Sequence, residues 1–277
     1  LHGLLLQRCI PPALSPFFNL NLSNNIAKKQ YAALGSRLEC CAHYVRSGGV
    51  LLDVGTDHAM LPISLVLSGK INRAVASDIN GGPVAAAERN VSRNGLSDKI
   101  TVIKTDGLTG LEKFEPTDIV IAGMGGEMII SILSSKAAEW SKREGIRFIL
   151  QPMTRQSLLR RFLAEDGYLT EYNSLAEDTG GRIYEIIVCR FTGEPYTISE
   201  TEAIGGSINR DSPDELFIKH LAGKIKQLRR QAEGILKSSD NEIRRTELSA
   251  IMYTVEGLEE LKKLINAEKG KSNAELL

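Results

Sequence analysis

The segment Leu51-Leu52-Asp53-Val54-Gly55-Thr56-Asp57-His58-Ala59 constrains this chain more than any other. An apolar run ends at an acidic residue, a glycine follows, and a second acidic residue stands two positions later. A second run, Arg73-Ala74-Val75-Ala76-Ser77, ends in Asp78. This pairing suits a doubly wound α/β domain that holds a nucleoside-containing ligand. Glycine lets the backbone approach the ligand closely, and a carboxylate at the tip of the next strand accepts hydrogen bonds from two ribose hydroxyls.

The turn itself discriminates between ligands. A nicotinamide enzyme shows G-x-G-x-x-G opening a helix, so that pyrophosphate rests on helix N–H groups. Here one glycine is present, and Asp57 stands where a diphosphate would approach. A carboxylate repels a diphosphate but suits a ligand with an α-ammonium group. S-adenosylmethionine carries that group and a sulfonium, and its ribose still needs a partner such as Asp78.

Periodicity supplies the frame. Leu34, Leu38, Cys41 and Val45 recur at helical steps, and Ser47-Gly48-Gly49 ends that helix before a strand over Val50 to Val54. A short helix from Pro62 to Leu67, a strand from Ala74 to Asp78 and a helix with Pro83 in its first turn follow. Further strands are predicted over Ile100 to Lys104, Asp118 to Ala122 and Arg147 to Leu150, with helices after Gly125-Gly126 and over Gln156 to Glu165. Strands near Leu169 to Leu175 and Ile183 to Phe191, split by Gly180-Gly181, close the unit. Alternating strands and helices imply parallel pairing. A closing two-strand hairpin marks the methyltransferase variant of the doubly wound fold, whereas the dehydrogenase variant ends in another parallel strand.

After Pro195 the pattern changes. Leu221, Ile225, Leu228, Ala232 and Ile235 form one apolar seam, and Leu248, Ile251, Val255 and Leu258 form another, separated by Ser238-Ser239-Asp240-Asn241. Two antiparallel helices, a coiled-coil-like hairpin about 25–30 Å long, are expected. The first carries Lys219, Lys224, Lys226, Arg229, Arg230 and Lys237 against Glu233 alone. That stripe reads either as a solvated face or as a nucleic-acid surface.

Composition excludes little but directs the search. The 34 basic and 34 acidic residues cancel, so any nucleic-acid site must be a local patch. Cys9, Cys40, Cys41 and Cys189 show neither C-x-x-C spacing nor a paired framework, which points to a reduced, cytosolic setting without a metal site. No apolar run reaches the roughly 18–20 residues that span a bilayer. Leu4 to Phe18 is apolar but broken by Pro11, Pro12 and Pro16, and lacks the features of a secretory signal. Residues 1–30 are therefore expected to be an upstream extension, disordered or appended to the folded part. A partner-binding arm is the competing reading.

Gly55-Thr56-Asp57-His58-Ala59, Ile121-Ala122-Gly123-Met124-Gly125-Gly126, Leu150-Gln151-Pro152 and Tyr184-Glu185-Ile186 together resemble the bacterial tRNA (adenine-22-N1)-methyltransferases, the TrmK family. The resemblance runs from about Leu34 to the C-terminal hairpin. It departs at Met153, where related sequences commonly carry Asn. It implies an α/β architecture, with a Rossmann-like class I methyltransferase domain over residues 31–195 and a C-terminal helical coiled-coil hairpin over 196–277. It also implies S-adenosylmethionine as donor, tRNA as partner, and a hairpin that helps grip the tRNA. The chain is expected to act as a monomer or weak dimer.

Within that frame the candidate residues fall into three groups. Asp53 and Gly55 are expected to shape the donor turn, Asp78 to take the ribose, Ile79 and Asn80 to line the adenine pocket, and Asp106-Gly107 to face the adenine amino group. Asp57 is expected to face the ammonium or the target base, with a helix N-cap as its alternative. His58 either contacts target or donor or serves the turn. Gly123 and Met124 sit where the fourth strand opens on the active site. Arg37, Gln151, Arg155, Lys224, Arg229 and Arg230 are the candidate tRNA contacts. Gln151 and Arg155 serve equally well as strand end and helix start. Competing functions are a methyltransferase for a small molecule or protein, with the hairpin used for dimerisation, and a non-catalytic RNA-binding protein. Methylation of mapped tRNA separates all three.

Overall fold

The computed structural model describes residues 34–206, 210–212, 214–237 and 242–274. The expectations for residues 1–30 and for the 238–241 connection lie outside them. The first helix, α1 (Ser36–Tyr44), precedes an alternating series: β1 (Val50–Val54), α2 (Met60–Leu67), β2 (Arg73–Asp78), α3 (Gly81–Arg93) and β3 (Ile100–Lys104). It continues through β4 (Asp118–Gly125), α4 (Gly126–Ser134), β5 (Arg147–Thr154) and α5 (Gln156–Glu165). The hairpin β6 (Tyr168–Glu177) and β7 (Ile183–Phe191) closes the sheet.

The seven strands lie in the order β3-β2-β1-β4-β5-β7-β6. β1 to β5 are parallel, and β7 runs antiparallel between β5 and β6. This is the methyltransferase arrangement that the terminal hairpin implied. Neighbouring residues of one strand serve opposite faces: Leu51, Ala74, Val120 and Ile149 pack under α1 to α3, while Leu52, Val75, Ile119 and Phe148 pack under α4 and α5. Because both faces are covered, these strands read as continuous apolar runs rather than as alternation.

Two elements depart from expectation. β4 does not end at Ala122 but continues through Gly123 and Met124 to Gly125, paired with an extended β5 and bulged around Met124. The glycine segment is therefore part of an irregular ladder, not a free loop. Its compactness depends on Gly126, where an added Cβ would lie 2.6 Å from the Arg155 carbonyl oxygen and 2.8 Å from that of Thr154. The second departure is a short helix, α6 (Glu200–Gly205), whose start is a capping box. Ser199 Oγ accepts from the Glu202 N–H, and the Glu202 carboxylate accepts from the Ser199 N–H.

The C-terminal helices α7 (Asp214–Leu236) and α8 (Glu242–Ala274) exceed the expected length. At about 1.5 Å per residue they span about 35 and 50 Å. The seam does bury Leu221, Ile225, Leu228, Ala232, Ile251, Val255 and Leu258, as the periodicity required. It also extends beyond that pattern, to Phe217 and Ile265, and takes in Leu175 of β6. The hairpin thereby joins the sheet through apolar contact.

A buried ion cluster fastens the same junction. Glu185 on β7 meets the Arg160 guanidinium of α5 and, at 2.8 Å, Lys224 Nζ of α7. Arg160 also donates to Asn173 Oδ1 of β6 at 3.2 Å and to the Ala203 carbonyl of α6 at 2.9 Å. Burial alone would raise the Glu185 carboxyl, but the cations around it outweigh burial and hold it at about 2. His220, lowered to about 4 chiefly by burial, is neutral at physiological pH, so Arg160 and Lys224 carry that field.

Glu185→Gln leaves the buried Arg160 and the partly buried Lys224 without their counter-charge. It is expected to lower the unfolding free energy at pH 7 by about 3–5 kcal/mol, measured by denaturant titration. In the unmodified chain the Glu185 contribution is complete above about 4.5 and is lost as pH falls toward about 2.

Candidate active site

Strand order reverses between β1 and β4, and at such a point the connections leave in opposite directions and open a crevice at the carboxyl edge of the sheet. The turn after β1 forms one wall. The N–H groups of Gly55 and Thr56 both donate to the Ser77 carbonyl, at 2.8 and 2.9 Å, stitching the turn to β2. Gly55 has φ of 73°, a conformation that side chains resist. An added Cβ would also lie 2.0 Å from the Met124 Cε. That methyl can move, so the backbone angle is the stronger reason for glycine.

The left-handed backbone does not stop at Gly55. His58 and Ala59 both occupy the left-handed region, with φ of 59° and 54°. Each such residue costs on the order of 1–3 kcal/mol unless its surroundings enforce the shape. Here Ala59 is fully buried, and Asn90 Nδ2 of α3 donates to the His58 carbonyl at 3.0 Å. Ala59, not Asp57, takes the N-cap position of α2. The Asp57 carboxylate therefore performs no capping. It stands exposed, 3.3 Å from His58 Nε2.

Asp53 is buried, and its carboxylate accepts from the Thr56 hydroxyl at 2.6 Å. Burial pushes the carboxyl up to about 6; the Thr56 hydroxyl and the Arg37 charge oppose that rise. Asp78 ends β2 and accepts the Asn80 N–H at 2.7 Å, while its carbonyl takes the Thr105 N–H at 3.0 Å. That bond ties the Asp106-Gly107 turn to the same edge. Asp106 and Asn80 are exposed, and Ile79 is 55% exposed, uncommon for a large apolar side chain. Gly107, with φ of 52°, lies against Ile132 of α4.

The opposite wall comes from β4 and β5. Gly123 is exposed, with φ of 80°, and Met124 follows it. Gln151, expected from the sequence to touch tRNA, is fully buried and cannot meet RNA directly. Its Oε1 accepts from Gly123 N–H at 3.0 Å and from Arg37 Nη1 at 2.8 Å, so Arg37 is also engaged inside the fold. Met153, the departure from the family pattern, places its sulfur 3.5 Å from Gln151 Nε2. Arg155 is exposed in a left-handed conformation, 3.6 Å from Glu127.

The basic stripe of α7 is divided between two roles. Lys219 pairs with Glu177 of β6, and Lys224, expected to face tRNA, is drawn inward by Glu185. Three of the others line a cleft of about 690 Å³ between α7 and α8. Lys226, Arg229 and Arg230 meet Lys262 and Lys263 there, against Glu233 and Glu259. Arg229 pairs with Glu259. The α8 lysines escape a count of charge along one helix, because the cleft is shared by two.

Among the described residues, no group of three or more His, Cys, Asp and Glu side chains is arranged to hold a metal ion. Nor is any described helix long and apolar enough to cross a membrane. The described cysteines Cys40, Cys41 and Cys189 are free thiols.

Comparison with known proteins bears on the same surfaces. The family model for tRNA (adenine(22)-N(1))-methyltransferase matches residues 51–258, from β1 to the middle of α8. The Bacillus subtilis tRNA (adenine(22)-N(1))-methyltransferase is 31% identical over 234 residues, covering 82% of this chain and 96% of its own. The structure of Mycoplasma capricolum TrmK with S-adenosyl-homocysteine superposes with a TM-score of 0.69 at 27% identity, covering 84% of this chain and 99% of that one. A Streptococcus pneumoniae protein in complex with S-adenosyl-L-methionine gives 0.65 at 30% identity, over 83% and 100%. With the crevice, the sheet order, α7 and the first half of α8 inside the matched region, the chain belongs to the tRNA (adenine(22)-N(1))-methyltransferase family.

Proposed function

We propose that this protein transfers a methyl group from S-adenosylmethionine to N1 of adenine 22 in tRNA. The observation that carries the reading is the acidic crevice at the β1/β4 reversal, where Asp53, Asp57, Asp78 and Asp106 gather on strand ends and turns of one sheet edge. Such an edge favours a cationic ligand over a diphosphate.

Bound S-adenosylmethionine supplies a methyl group activated on a sulfonium. In this reading Asp78 accepts from the ribose hydroxyls, and Asp53 faces the methionine ammonium through water across the Gly55 turn. The exposed face of Ile79, with Asn80, packs on the adenine ring, and Asp106 beside Gly107 accepts from its amino group. Asp57, His58, Gly123 and Met124 form the acceptor side. Adenine N1 already holds an in-plane lone pair, so the protein's task is in-line alignment, exclusion of water and placed charge. As the new N–C bond forms and the C–S bond breaks, the adenine becomes cationic. The Asp57 carboxylate, exposed and uncommitted to capping, is suited to stabilise that charge. The strained His58-Ala59 backbone holds the pair at the mouth. Extracting the base from its stack costs a few kcal/mol, which remote contacts between tRNA phosphates and the α7/α8 cleft offset.

We further propose a division near residue 195 into a catalytic domain and a tRNA-gripping hairpin, working in the cytoplasm as a monomer or weak dimer. The hairpin seam is filled by its own two helices together with Leu175 of β6, which leaves that seam no need of a second copy.

Incubating the chain with labelled donor and a tRNA transcript should place label on N1 of adenine 22, mapped by primer extension. Label elsewhere, or none, rejects the reaction. Donor affinity should fall as pH drops below about 6, by up to tenfold per unit, because protonated Asp53 no longer attracts the ammonium. Calorimetry in buffers of different ionisation heat should register proton release near that pH. Replacing Lys226, Arg230 and Lys262 by Ala should raise KM for tRNA and flatten its salt dependence by about one unit of slope for each phosphate no longer neutralised. Donor affinity should not change.

A further inference from the structure

Three strand ends of the crevice converge on α1 through one side chain. Arg37, half-buried, donates from Nη1 to Gln151 Oε1, and the Gly123 N–H donates to the same oxygen. Gln151 is fully buried, and its Nε2 donates to the Pro152 carbonyl at 3.1 Å, so the amide cannot turn without breaking every one of these bonds. An added Cβ at Gly123 would lie 3.1 Å from Arg37 Nη1, which shows how closely the guanidinium lies against the kink in β4. The next residue, Met124, reaches over Gly55. The Arg37 charge also acts on Asp53, whose other ionisable neighbours are Asp57 in the turn and Cys41 on α1. Adjacent strands present only Ala76 and Val120 at that level.

We infer that Arg37 is a positioning residue for methyl transfer: through Gln151 it fixes the Gly123–Met124 end of β4 against the donor turn, and it brings a positive charge to the side of the crevice that carries Asp53. The inference rests on the reading of the crevice as an S-adenosylmethionine site and assigns Arg37 no contact with tRNA. A guanidinium suits the role because its planar fork fixes direction as well as charge. Displacing Gly123 and Met124 shifts the wall beside which the acceptor must align, and small misplacements are costly for an in-line transfer.

The test uses the full chain and its Arg37→Met, Arg37→Lys and Gln151→Ala variants, each checked for folding by thermal melting. Donor affinity is measured against pH without RNA, and kcat and KM for tRNA across a salt series. Arg37→Met should move the acid limb of donor binding to higher pH and lower kcat on the order of 100-fold, while the salt slope of KM stays unchanged. Arg37→Lys should restore the acid limb but not kcat. Gln151→Ala should lower kcat and leave the limb in place. A higher KM for tRNA and a slope reduced by about one, with kcat and the acid limb unmoved, would identify a phosphate contact and overturn the inference. Equal losses in all three variants, tracking melting temperature alone, would overturn it as well. If the unmodified chain methylates no tRNA, the proposed reaction fails, and the acid-limb comparison still tests Arg37 independently.

Discussion

Parallel pairing of β1 with β4 is the constraint on which the rest of the site depends. It places Asp53 beside Val120 and sends the next connections to opposite sides of the sheet. The crevice so formed takes one wall from a strained turn and the other from a bulged strand. The turn is held by bonds from Gly55 and Thr56 to Ser77 and from Asn90 to His58, and the bulge by Gln151. Local strain at the crevice is thus carried by regular structure around it.

Two buried carboxylates show how placement, not residue type, sets charge. Glu185 and Asp53 are both almost fully excluded from water. The first lies against Arg160 and Lys224 and is held at about 2; the second has the more distant field of Arg37 and rises to about 6. Glu185 is therefore a permanent anion that fastens α5, α7 and the terminal strands. Asp53 stays responsive to a cation entering the crevice. One carboxylate serves the junction of sheet and hairpin, and the other is suited to a ligand.

Much of the fold was legible because its signals are periodic. Apolar runs marked the strands, the Gly180-Gly181 turn marked the terminal hairpin, and the Leu221 and Ile251 series marked the seam of α7 and α8. The extension of β4 was not legible, since Gly123-Met124-Gly125 carries no strand pattern and pairs only because β5 runs alongside. α6 did carry a signal in Ser199 and Glu202, but a single helical turn has too little apolar periodicity to notice. The α8 half of the basic cleft was hidden for a different reason: lysines 262 and 263 gain meaning only when α7 lies opposite.

Of the candidate site, the sequence by itself determined the acidic strand ends, the glycine turn and through them the class of donor, and, by resemblance, the acceptor. These are local features, set by residue type at the tip of a strand. Tertiary structure decided which charged and polar side chains face outward. Arg37, Gln151 and Lys224 look like surface contacts in one dimension, yet packing turns each toward a buried partner, because an uncompensated polar group inside the fold costs more than a contact with water gains. Asp57 moved the other way: it lost the capping role that its position suggested and stands exposed at the mouth beside His58, because the left-handed backbone of His58 and Ala59 starts the helix without it.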